Sequence, residues 1–323
     1  MKTETNTIRS EAFKKEVRKG LTDFPKHLSS KYFYDKKGDK LFQDIMAMPA
    51  YYLTDCELEI ISEHKRAIAE LFRDKQNGLD LVELGAGDGK KTKVLLDYMS
   101  KKNFNFVYKP IDISENVLEL LTGSLASEMP LLTVKPVVGE YFEVLERIKN
   151  LNKRKKVIMI LGSNIGNLLH PQAIDFLQKL HDVMTADDLL FIGMDQKKNP
   201  ETILAAYNDP EGITEAFNKN VLVRINSELG GNFDIKKFRH WEVYNPETGT
   251  AKSYLVAAEA MDVTIEALDL RIHFEQWETI HTEISQKYDD QTVEWMAQQA
   301  NLEIVQTFSD SRSYFKNYVF RKQ

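Results

Sequence analysis

A single cysteine, Cys56, stands in 323 residues. One thiol cannot form an internal disulfide, so the fold is expected to stand on packing alone, as suits a reducing, cytoplasmic compartment. The seven histidines show neither HxxxH nor HxH spacing, so the chain offers no ligand set for zinc and no metal is expected. Neither a GxSxG elbow nor a GxxxxGK[ST] loop occurs, which removes serine-hydrolase and phosphate-loop chemistry. No window approaches the length of a membrane span, and the opening MKTETNTIRSEAFKKEVRKG lacks an apolar core, so no membrane partner is expected. Positive charge is not in excess either: 43 Lys and Arg face 49 Asp and Glu, a net charge of -6. A protein that coats nucleic acid needs a basic field, which is absent here. The one basic cluster, residues 153–156, reads as a solvated turn.

What is present is ordinary for a globular enzyme, with 42% hydrophobic and 28% charged residues and ample chain for a large core. Strand-like apolar runs fall at residues 79–84, 106–111, 132–138, 157–161 and 189–194. Amphipathic, helix-like stretches lie between them at 92–99, 115–125, 141–148 and 171–184. That alternation predicts βαβ units and a parallel sheet. After Asp195 the rhythm changes. Residues 201–207 and 212–229 read as helices, Gly230 and Gly231 follow, and 240–244, 252–258 and 271–275 read as antiparallel strands. The β/α pattern resumes near Ile280 and closes with 303–308 and 314–320. The expected division is an α/β core of residues 60–195 and 278–323, an inserted α+β domain of 196–277, and N-terminal helices in 1–59 that join the inserted domain.

The most informative segment is LVELGAGDGKKT, residues 81–92. An apolar strand ends in Glu83, then Gly85, Gly87 and Gly89 alternate with small or polar residues before a lysine-rich helix start. Glycine adds no Cβ and tolerates positive φ, so a ligand can lie against bare backbone. The next strand-like run ends in Asp112, placed to accept hydrogen bonds from ribose hydroxyls; the alternative is a helix cap by Asp112 or Ser114. A dinucleotide site wants GxGxxG. GxGxG with a preceding acid is instead the pattern of S-adenosylmethionine methyltransferases, whose cofactor carries no phosphate. The fold class that follows is a class I, Rossmann-like methyltransferase core.

Other constellations sit where such a core binds ligands. Glu140 and Tyr141 close the third strand, as an acid and an aromatic beside an adenine or as a solvated loop. The fourth strand runs into Gly162-Ser163-Asn164-Ile165-Gly166-Asn167, at the carboxyl end where open α/β sheets bind ligands. It carries no NPPY-like motif, so neither a nucleobase amine nor a glutamine amide is suggested as the methyl acceptor. Glu283 and Ser285, two apart in a strand-like segment, share a face and could bind an N–H donor ring or a cation; a solvent-facing edge is the alternative. Tyr34 and Tyr51 lie in aromatic clusters that are more often core than site.

Longer blocks add a resemblance. YFYD…G…LF…PxYYxT, LVELGAGDGKKT, PIDIS, LGSNIGNL, AAYND…GxTxAFNxNxL and IHTEISQKY span nearly the whole chain. Together they resemble the histidine-specific methyltransferases of ergothioneine biosynthesis. The resemblance implies S-adenosylmethionine as cofactor, contacted by Gly85, Lys91 and Asp112, with Glu140 and Tyr141 beside its adenine. It implies that Asn167 and Tyr207 hold the carboxylate and amine end of an amino acid, that Tyr51, with Tyr34 near it, closes over the substrate, and that Glu283 and Ser285 bind the imidazole. An acid and a hydroxyl suit two ring nitrogens. Ser253, in AKSYLVA, aligns where relatives carry a bulky apolar residue that shapes the ring site.

The expected activity is transfer of methyl groups to the α-amine of L-histidine by a monomeric enzyme with no nucleic-acid partner. Tyr34 and Tyr51 are the polar candidates for handling the amine proton. Rival readings are a relative acting on another amino acid or small amine, a non-catalytic S-adenosylmethionine-binding regulator, and an enzyme that methylates protein or tRNA.

Overall fold

The computed structural model describes residues 2–139, 144, 146 and 154–323, with side chains described from residue 11 onward. The chain opens with α1 (Lys2–Thr22), α2 (Lys36–Met46) and α3 (Tyr52–Phe72). There follow β1 (Leu79–Leu84), α4 (Lys90–Lys101), β2 (Phe106–Asp112), α5 (Glu115–Glu128) and β3 (Val137–Val138). Next come β4 (Lys155–Ile160), α6 (His170–Val183), β5 (Leu189–Asp195), α7 (Pro200–Tyr207) and α8 (Ile213–Leu229). Strands β6 (Phe238–Asn245), β7 (Thr250–Ala257), β8 (Met261–Ile265), β9 (Leu270–Phe274) and β10 (Thr279–Gln286) lead to α9 (Asp290–Gln299), β11 (Leu302–Ser309) and β12 (Phe315–Lys322).

The chain divides into two compact units. The first comprises residues 52–198 and 286–323 and holds a seven-stranded sheet in the order β11-β12-β5-β4-β1-β2-β3. β1 is central: every residue of LDLVEL is buried, and it pairs parallel with β2 on one side and β4 on the other. A strand covered on both faces carries a continuous apolar run rather than an alternating one, as β4 (VIMI) and β5 (LLFIGM) do. β12 pairs antiparallel with both β5 and β11, so the sheet ends in a reversed hairpin. That order, parallel through five strands and reversed at one edge, is the class I methyltransferase arrangement. Leu177, Leu180, Ile158, Ile192, Met296 and Phe320 belong to one buried cluster on the sheet.

The second unit comprises residues 1–51 and 199–285. It carries a three-stranded sheet β10-β7-β6 and a β8-β9 ribbon. Helix α8 ends at Gly230, which takes the left-handed conformation (φ 65°) typical of a helix stop.

Some expectations need correction. The return to the core, expected near residue 278, comes at Gln286, because β10 joins β7 in the second unit's sheet. Residues 52–59 belong to α3 and fall with the core. The third strand is two residues long, not seven, since Pro136 lacks a ladder N–H and only Val134 of the preceding stretch bridges, to Tyr108. β8 was missed; its Asp262 and Thr264 point outward and break the apolar run. Lys156, read as part of a solvated turn, is 6% exposed and pairs with Asp188 at 2.8 Å. Of the helix expected at 141–148 only Val144 and Glu146 are described, both helical; Glu140 and Tyr141 lie outside the described residues.

Candidate active site

In the core unit, β1 delivers the glycine loop at its carboxyl end. Gly85, Gly87 and Gly89 all take positive φ (74°, 55° and 67°), which a side chain would oppose. A Cβ on Gly87 would meet nothing within 4 Å, so open space lies directly over the bare backbone. Beside it, Asp112 ends β2. Its carboxylate accepts from Gly87 N at 3.2 Å and from Ser114 N at 2.9 Å. Burial lifts its pKa above the ordinary carboxylate value, with those N–H groups opposing the rise. Asp112 thus engages the glycine turn and does not itself cap α5. It staples the turn, and each oxygen keeps a lone pair for a ribose hydroxyl. Capping of α5 itself falls to Ser114, which accepts from Val117 N. The open backbone and the adjoining acceptor suit S-adenosylmethionine, a nucleoside with no phosphate.

Glu83 does not face that open space. It is 2% exposed, and its two oxygens accept from Thr92 (2.7 Å) and from the Tyr108 hydroxyl. Desolvation raises its pKa to about 7. Through those bonds it ties β1 to α4 and β2. Lys91, in the first turn of α4, pairs with Glu57 Oε2 at 2.6 Å. Glu57, from α3, also accepts from Gly162 N at 2.6 Å and from Asn317 Nδ2 at 2.9 Å. Asn167 closes the short 3-10 turn after β4 and is exposed. That turn begins at Gly162 and Ser163, both left-handed. Asp195, at the end of β5, is fully buried and accepts from Tyr52 at 2.8 Å and from the fully buried Lys287 at 2.8 Å.

In the second unit the expected tyrosines come together. Tyr51 and Tyr207 meet edge to face with ring centroids 6.2 Å apart. Phe42 lies 6.4 Å from Tyr51 and 5.6 Å from Tyr34, and Phe217 lies 5.3 Å from Tyr34. The Tyr207 hydroxyl is 2.7 Å from the Ser285 hydroxyl, and Glu283 stands two residues before it on β10. Four of the six substrate and proton candidates assigned to this unit, Tyr34, Tyr51, Tyr207 and Ser285, are thus one connected group, joined through Phe42 and Phe217, which sequence reasoning passed over. Their only signal was their place inside the KLF and AFN blocks, where an aromatic reads as core.

Ser253 stands apart. It is 1% exposed, its hydroxyl donates to Glu242 across the β6–β7 pair at 2.5 Å, and its carbonyl lies 3.1 Å from the Thr282 hydroxyl. Its hydroxyl proton is thus committed to Glu242 within the sheet. Among the described residues no group of three or more His, Cys, Asp and Glu could hold a metal, and no helix is long and apolar enough to cross a membrane. Cys56 is buried with its thiol pKa pushed up to about 12, unsuited to nucleophilic work.

A family model described as histidine-specific methyltransferase, SAM-dependent, matches residues 13–322. Histidine N-alpha-methyltransferase of Mycolicibacterium smegmatis is 35% identical over 285 residues, covering 88% of this chain and 87% of that protein. The protein of the same name from Mycobacterium tuberculosis is 34% identical over 304 residues, covering 94% and 93%. Ergothioneine biosynthesis protein 1 of Schizosaccharomyces pombe is 28% identical over 302 residues, which cover 92% of this chain and 39% of that protein. With the sheet order, the bare glycine loop and a match over nearly its full length, the chain belongs to the histidine-specific, S-adenosylmethionine-dependent methyltransferases.

Proposed function

We propose that this protein methylates the α-amino group of L-histidine, carrying it to the trimethylated product hercynine. The family match over residues 13–322 carries the reading. The cofactor supplies a methyl group on a sulfonium, ready for in-line displacement by an amine lone pair. The protein's share is placement, which in ideal alignment is worth up to about 7–11 kcal/mol of the barrier.

In the core, the glycine loop backbone and Asp112 hold the nucleoside, Lys91 meets the carboxylate of the cofactor's amino-acid end, and Glu140 and Tyr141 flank the adenine. Asn167 and Tyr207 take the carboxylate and amine end of the substrate. Glu283 and Ser285 accept from and donate to the imidazole, with the Tyr207 hydroxyl holding Ser285 in place. The amine must shed its proton before it attacks, and Tyr34 and Tyr51 are the groups assigned to receive it, directly or through water. The enzyme works as a cytoplasmic monomer on a free amino acid.

The test is a screen of the twenty amino acids with S-adenosylmethionine, following S-adenosylhomocysteine release and product mass. Histidine should dominate and gain three methyl groups. Turnover of another amino acid with histidine inert would overturn the substrate assignment while leaving the cofactor in place.

A further inference from the structure

Nothing in the roles assigned so far involves Glu57, yet it is a heavily engaged acid beside the first turn of α4. Its side chain is 0% exposed. A carboxylate withdrawn from water has to be met by donors or it neutralises. Three donors meet this one: the Lys91 ammonium, the Gly162 N–H and the Asn317 amide. The sequence makes room for it, since a Cβ on Gly193 in β5 would stand 2.0 Å from Glu57 Oε1. Lys91 itself stays 17% exposed, so the pair is sealed on the Glu57 side only. S-adenosylmethionine has one anionic group, the carboxylate of its methionine part. Gly162, held by the same Glu57 oxygen as Lys91, starts the turn that ends in Asn167.

We propose that Glu57 is a positioning residue for cofactor binding, fixing the Lys91 ammonium and the Gly162 turn at a set separation so that the methionine carboxylate meets a preplaced cation. The proposal rests on S-adenosylmethionine as cofactor. Glu57 touches no ligand and acts through Lys91.

The test is calorimetric titration of S-adenosylhomocysteine and of 5′-methylthioadenosine, which lacks the amino-acid end, on wild type, Glu57→Gln, Lys91→Gln and the double variant. Glu57→Gln should weaken S-adenosylhomocysteine about tenfold and methylthioadenosine less than about twofold. In the Lys91→Gln background its added effect should fall below about twofold, as expected when two residues act as one unit. Unchanged S-adenosylhomocysteine affinity, equal loss for both ligands, or a loss that persists without Lys91 would each overturn the proposal. If Glu57→Gln does not fold, Glu57→Asp, with the charge kept but one methylene short, should show the same selectivity at about threefold or more; wild-type affinity there would overturn it too. A wild-type protein that binds neither ligand would overturn the cofactor assignment instead, an outcome distinct from the others.

Discussion

Replacing Asp112 with asparagine tests what its carboxylate does for the cofactor. The carboxylate already accepts from Gly87 N (3.2 Å) and Ser114 N (2.9 Å), and each oxygen has one lone pair left for a ribose hydroxyl. An amide is neutral, keeps one such acceptor and turns the other into a donor, so both ribose hydroxyls lose a charged partner and one of the two backbone N–H groups loses its acceptor. A hydrogen bond to a charged group is worth about 1.5–3 kcal/mol, which converts to roughly a 10- to 150-fold weaker dissociation constant. The assay is calorimetric titration with S-adenosylhomocysteine and its 2′-deoxy form. Wild type should prefer the hydroxylated ligand, and Asp112→Asn should lose most of that preference. Acidification adds a second arm. Because burial raises the Asp112 pKa, wild-type affinity should fall at a higher pH than an ordinary aspartate would set, while the variant stays flat. Full affinity in a folded Asp112→Asn protein would refute the ribose role and leave Asp112 as a staple of the turn.

Glu283→Ala should raise the histidine dissociation constant at least about tenfold, or 1.4 kcal/mol, with cofactor affinity held within about threefold; an equal loss for both would point to misfolding. Ser253→Met, which alignment alone would suggest as a gain in ring contact, should instead overpack the β6–β7 pair and strip Glu242 of a donor, at about 1–3 kcal/mol in a urea titration. An unmoved midpoint would mean there is room beside Ser253. Glu83 carries a folded-state pKa of about 7 against an ordinary 4.5, so the native state holds a proton that the unfolded chain gives up. Its contribution is complete below about 4.5 and lost as pH rises through 7, a swing of about 3 kcal/mol. The stability of wild type relative to Glu83→Gln should fall by that much from about pH 4 to about pH 8, and a flat difference would disprove the buried assignment. Asp195→Ala leaves the ammonium of Lys287, 0% exposed, without that carboxylate and should cost about 3–5 kcal/mol in thermal or urea unfolding.

Features written in short stretches of sequence were legible, and those assembled from distant ones were not. The glycine loop and Asp112 announce themselves because turn chemistry and strand endings are local. Glu57 could not be found that way: its partners Lys91, Gly162 and Asn317 lie 34, 105 and 260 positions away. The orientation of Glu83 was equally hidden. A strand-end acid before a glycine loop looks the same whether it faces ligand or is sealed by Thr92 and Tyr108. Alignment placed Ser253 in the chain but carried no information on which face of β7 it occupies or that Glu242 stands opposite. The β10 boundary failed for a related reason, since a strand's sequence does not say which sheet it will join.

β12, the strand furthest along the sequence, is an interior member of its sheet, with Phe315, Asn317, Val319 and Phe320 wholly buried. During synthesis the parallel strands up to β5 can assemble long before it is made. Until then the seven residues of β5 present an open row of backbone donors and acceptors, on a strand with no charged side chain before Asp195 to discourage a stranger. The nascent chain is at its most vulnerable to wrong pairing in that interval. A polypeptide interrupted between β5 and Phe315 would keep that edge for life, so frameshifts and nonsense codons in that interval should yield aggregates instead of weakened enzymes.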